Sequence, residues 1–150
     1  MKYTRKLRHL LILGCFLICP LVSRADDHTE DMRSFDIGIA NKVNGSVHGF
    51  ELGAVNEVEK DFGGGQFGFF NVVKREFNGF QFGLIANRTG HSFEGFQAAV
   101  FYNDTQEELR GLQLGIVNHA GSLNGIQIGI LNFNDDNKYL GFLPFINAAF

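Results

Sequence analysis

Two carboxylates, Asp36 and Glu51, occupy equivalent places in a run of short repeats whose other members carry Gln66, Gln81, Gln97, Gln113 and Gln127 there. Paired acids on neighbouring segments can exchange a proton and so do acid–base chemistry. The plainer expectation is a belt of polar side chains hydrogen-bonded to one another, in which Asp36 and Glu51 are variants of Gln. The histidines offer less. His28, His48, His91 and His119 lie tens of residues apart, whereas a metal site needs convergent and usually close-spaced ligands. His48, His91 and His119 fall between repeats and read as solvated loop residues. Gly63-Gly64-Gly65 has no Lys-Ser/Thr after it, so the phosphate-loop pattern fails. Asn134-Asp135-Asp136-Asn137 lacks the alternating spacing and distal Glu of a calcium loop. No nucleophile stands beside an orienting base. The expectation is a protein without catalysis, cofactor or metal.

The polar belt belongs to a repeat. SFDIGIAN (34–41), GFELGAVN (49–56), GGQFGFFN (64–71), GFQFGLIAN (79–87), GFQAAVFYN (95–103), GLQLGIVN (111–118) and GIQIGILN (125–132) recur with closing Asn residues 14 to 16 positions apart; a shorter eighth copy, GFLPFIN (141–147), carries Pro144. Within a copy the residues alternate. Phe80, Phe82 and Leu84 point one way and Gly79, Gln81 and Gly83 the other. Period two with Phe, Ile, Leu and Val is the pattern of a strand. Asn at each exit suits tight turns. The fold class is all-β, with about eight strands of 8 to 10 residues.

Two architectures accommodate eight such strands. In the first, neighbours pair antiparallel as an eight-stranded up-and-down β-barrel. In the second, each repeat is one coil of a parallel β-solenoid. Strand length matches a tilted span of a hydrocarbon layer, and the copy number is even and small. Gly-Gln-Gly facing a narrow lumen has a steric reason, whereas a solenoid that buried Phe80 and Phe82 would show Gly-Gln-Gly to water. Uniform links and Pro144, which cannot donate to a ladder, favour the solenoid. The barrel is the expected fold, with the Phe face in lipid, the Gln face in the lumen and links 42–48, 72–78, 104–110 and 133–140 outward. The solenoid is its alternative, a soluble module binding a ligand along a Gln/Gly face.

The remaining organisation follows from the N-terminus. Lys2, Arg5, Lys6 and Arg8 precede an apolar run from Leu10 to Cys19, and Ser23-Arg24-Ala25 puts small residues where a signal peptidase reads. This predicts a leader over 1–25, cleaved between Ala25 and Asp26, a polar tail over 26–33 and a β-repeat domain over 34–150. Both cysteines leave with the leader, and the remaining chain holds 8 basic and 16 acidic residues, a net charge of −8. That excludes nucleic acid as a partner, which demands a basic surface. The expected partners are membrane lipid or an unidentified surface ligand, at the outer membrane or cell surface.

The GFQFGLIAN, GLQLGIVN and GIQIGILN copies resemble the bacterial surface-repeat proteins built from tandem GLQIGLxN units, over roughly Phe35 to Phe150. The resemblance implies an exported cell-envelope protein of a Gram-negative-type bacterium. It carries no enzyme activity, cofactor or binding residue. The final Phe150 resembles the terminal signal of outer-membrane barrels, from which Ala148 departs.

Overall fold

A computed structural model describes residues 25–26, 32–137 and 141–150. Residues 1–24 of the predicted leader lie outside the described residues, as does His28. Every repeat forms a strand: β2 (Met32–Val43), β3 (Val47–Val58), β4 (Phe62–Val73), β5 (Phe77–Thr89), β6 (Phe93–Ala99), β7 (Tyr102–Leu114), β8 (Val117–Asn134) and β9 (Phe142–Ala149), after a two-residue β1 (Ala25–Asp26). Six of these eight strands run to 12–18 residues, longer than the 8 to 10 expected, because they continue through the polar links, whereas β6 has 7 and β9 has 8.

From β1 to β8 the pairing is parallel and in register. Phe62 faces Phe77, Gln66 faces Gln81 and Asn71 faces Asn87. The same alignment joins Glu51 to Gln66 and Gln97 to Gln113. Each repeat is therefore a full coil that returns to the edge where it began. The protein is a parallel β-solenoid of about six turns, and the antiparallel barrel is overturned. A coil of 15 residues has a circuit of roughly 50 Å. That is a flattened loop with room for two layers of side chains and no lumen. The Phe face accordingly spans no bilayer, and links 42–48, 72–78 and 104–110 are corners of the coil, not loops on an outer rim.

The interior follows from the register. Val47, Phe62, Phe77, Phe93, Leu109 and Leu123 form one buried apolar column, packed against a second made of Val43, Val58, Val73 and Ala120. Phe62, Phe77 and Phe93 stack with ring centroids 5.1 and 4.9 Å apart. That spacing is set by neighbouring strands, roughly 4.8 Å apart. At the C-terminal end β9 turns back and pairs antiparallel with β8. Pro144 sits in this last strand, where its missing N–H costs no bond to a further strand.

Candidate functional site

The Gln column is a buried hydrogen-bonded ladder. Each carboxamide donates to the residue one coil nearer the N-terminus: Gln127 to Gln113 (2.8 Å), Gln113 to Gln97 (2.7 Å), Gln97 to Gln81 (2.7 Å), Gln81 to Gln66 (2.8 Å) and Gln66 to Glu51 (2.7 Å). Glu51 and all five Gln are fully buried, and Asp36 is half-buried opposite Glu51. A primary amide suits a stack because it has a donor on one side and an acceptor on the other. The expected polar belt therefore exists as a solid column; the expected lumen around it does not. Removal from water pushes the Glu51 carboxyl up to about 7, against the hydrogen bond from Gln66, and the neighbouring Asp36 carboxyl adds to the rise.

The Asn column runs the other way. Asn41 donates to Asn56, Asn56 to Asn71, Asn71 to Asn87, Asn87 to Asn103, Asn103 to Asn118 and Asn118 to Asn132. Each also donates to a backbone carbonyl one coil on, such as Phe67 O (2.9 Å) from Asn56 and Phe82 O (2.7 Å) from Asn71. Asn thus closes each copy because it faces inward and holds the next coil, not because it forms a tight turn. The first Gly of each copy has a different origin from the lumen proposed for it. Gly79 has φ +134°, and a Cβ there would lie 2.1 Å from Gly64 O of the preceding coil.

With amides inside, the apolar residues are outside. Phe35, Phe50, Gly65, Phe80, Phe96, Leu112 and Ile126 align in one column, and Ile37, Leu52, Phe67, Phe82, Ala98, Leu114 and Ile128 in the next. Two residues further on in each copy stand Ile39, Ala54, Phe69, Leu84, Val100, Ile116 and Ile130. None of these positions is polar. Many are well exposed, among them Phe35 at 72%, Ile39 at 78% and Phe80 at 59%. Phe67 and Phe82 stack on this surface at 5.3 Å. Ala98 interrupts the large side chains and leaves an apolar groove of about 510 Å³ between Phe67, Phe82, Leu84, Val100 and Leu114. Seven stacked copies at ~4.8 Å and three outward positions per copy give a face of roughly 30 by 15 Å, on the order of 450 Å². That is the size of the largest patches that soluble monomers expose, which are often functional. The Gln/Gly ligand face expected of a solenoid is inverted: the amides are sealed and the aromatic residues are offered.

One charged cluster was not foreseen from the sequence. His119 is 3% exposed, not solvated, and its Nδ1 lies 2.6 Å from Asp104 Oδ1. Its Nε2 stands 3.3 Å from Asp135 Oδ2, and Arg88 Nε is 3.6 Å from Asp104 Oδ2. Burial alone would lower the His119 pKa, but the hydrogen bonds and charges of Asp104 and Asp135 outweigh it and hold the value above the ordinary one. Asp104 and His119 are register partners on successive coils, a relation visible only once the parallel stacking is known. Of the other histidines, His48 is exposed and His91 pairs with Glu107 at 3.1 Å. Among the described residues no group of three His, Cys, Asp or Glu converges as metal ligands do. Comparison with family models, curated proteins and solved structures returned no match.

Proposed function

We propose that the protein is an exported, non-catalytic β-solenoid module whose working surface is the apolar face, and that this face rests on the lipid–water interface of an envelope membrane. The single observation behind this reading is the composition of that face: three outward columns over seven repeat copies with no polar side chain among them. The basic, apolar leader and the resemblance to tandem GLQIGLxN surface repeats support export. Burying on the order of 450 Å² of apolar surface at ~25 cal/mol per Å² is worth about 11 kcal/mol before the costs of association. Those costs run from roughly 4 to 15 kcal/mol, so the contact is reversible, not anchored. The face carries no charge and the chain beyond the leader is acidic. Binding is therefore driven by area and opposed by anionic lipid.

The test is flotation with phosphatidylcholine vesicles. The protein floats with neutral vesicles, tolerates raised salt, and floats less with vesicles rich in phosphatidylserine. Phe82→Glu, on the exposed face, lowers the bound fraction several-fold while the thermal midpoint stays within a few degrees. A protein that stays in the soluble fraction at every vesicle concentration contradicts the lipid contact.

A further inference from the structure

The two ends of the solenoid are built differently. At the C-terminal end β9 caps the stack, Asn147 Nδ2 donates to Gln127 Oε1 (3.0 Å) and Leu143 O accepts from Asn132 (3.2 Å). Both ladders are closed there, and Pro144 lies in the outermost strand. At the N-terminal end the outer edge of β2 is paired, among the described residues, only at Lys42 and Val43. Both ladders reach that edge as acceptors. Every Gln donor points towards the N-terminus, so the series ends on Glu51 and then Asp36, which once ionised have nothing to donate. Asn41 spends its Nδ2 on Leu52 O and Asn56 Oδ1. Neither of these bonds uses its Oδ1.

Glu51 adds a second, independent sign. It is fully buried, Gln66 satisfies one of its oxygens, and Oε1 has no partner. Asp36 follows on the next rung of the same column, half-buried. All five later positions in the column are neutral amides. Two carboxyls at the open end of an otherwise uncharged ladder leave acceptor capacity and negative charge where a further strand would lie. Free sheet edges take up extended peptides through main-chain hydrogen bonds, and side-chain sites select among them.

We propose that the outer edge of β2 is a strand-docking site for an extended peptide that runs parallel to β2 and places a lysine or arginine over Asp36. The ammonium or guanidinium supplies the donor and the charge that the column lacks, and an amide five residues on meets Asn41. The inference is independent of the lipid contact, since the edge and the apolar face are different surfaces.

The probe is a synthetic twelve-residue peptide of residues 47–58 carrying Glu51→Lys, compared with the unaltered peptide, against the exported full-length protein at pH 8 and low salt. The lysine peptide should bind at least ten-fold more tightly and slow hydrogen exchange at the amides of residues 35–39. Asp36→Asn in the protein should erase the preference without shifting the thermal midpoint. Binding of neither peptide means that the acids only repel strands and overturns the proposal. A preference that survives Asp36→Asn places the peptide elsewhere and also overturns it. So does core-level protection of residues 35–39 in the free protein, which would mean that the chain covers its own edge. None of these results bears on vesicle flotation.

Discussion

Amide side chains hold this molecule together from within, and their value lies in what happens when one is lost. Gln81 accepts from Gln97 and donates to Gln66, in a fully buried site. Gln81→Leu keeps the volume but strands the Gln97 donor and the Gln66 acceptor. Each unsatisfied buried group costs about 1–3 kcal/mol, so the substitution should lower unfolding free energy by roughly 2–5 kcal/mol in denaturant titrations. Phe82→Glu, one residue along but outside, should cost far less. Equal losses at the two positions would contradict the inside-out assignment. Glu51 sets a pH dependence. Its carboxyl titrates near 7 in the fold against an ordinary 4.5, so the folded state holds its proton more tightly than the unfolded chain. Stability therefore falls as pH rises from about 4.5 to about 7, by on the order of 3 kcal/mol in all. His119 acts in the same direction. Its raised value contributes stability that is complete below the ordinary 6.5 and lost as pH rises through the higher folded value. The protein should melt higher at pH 5 than at pH 8, and Glu51→Gln should raise the midpoint at pH 8 and flatten the slope.

At the scale of one coil, the repeat is a set of positions with separate duties. The first Gly allows the backbone to approach the coil before it, the Gln and Asn close their ladders, and the Val and Phe positions form the dry core. Gly95 shows the first duty plainly, with φ +127° and a would-be Cβ 2.1 Å from Gly79 O. Gly95→Ala should destabilise by on the order of 3 kcal/mol, as judged by the urea midpoint. Gly141 has no such constraint, since a Cβ there meets nothing nearer than 4.0 Å, and Gly141→Ala should be close to neutral. Much of this was legible beforehand. The repeat length, the strand character and the division of Phe and Gln onto opposite faces follow from the spacing and the period-two alternation. Strand direction does not, because G-x-Q-x-G reads alike both ways and alternation carries no polarity. The closing Asn did carry it. In an antiparallel meander the Asn residues would alternate between two rims, whereas on one edge of every copy they can stack only if the copies run parallel. The sense of the faces was misjudged only for the solenoid alternative, where Phe was expected inside and Gln outside. Gln inside a narrow coil looks costly until each amide is seen to serve the next.

At the scale of the molecule, the solenoid buries its amide ladders beside a dry apolar core and leaves a second set of apolar side chains exposed. The two proposals, a lipid contact at the apolar face and a peptide at the β2 edge, concern different surfaces of it. The Asp104–His119 pair marks how little of the tertiary arrangement a linear reading could reach, since residues fifteen apart become neighbours only through the register. The central claim is that register, and exposed positions can report it without disturbing the core. Asn78 and Glu94 are exposed and lie opposite each other on β5 and β6. Spin labels on Asn78→Cys and Glu94→Cys should sit on strands ~4.8 Å apart and show strong dipolar broadening. An antiparallel pair centred on Gln81 and Gln97 would separate the two positions by about six residues, roughly 20 Å, and leave the spectrum unbroadened. That second result would contradict the solenoid.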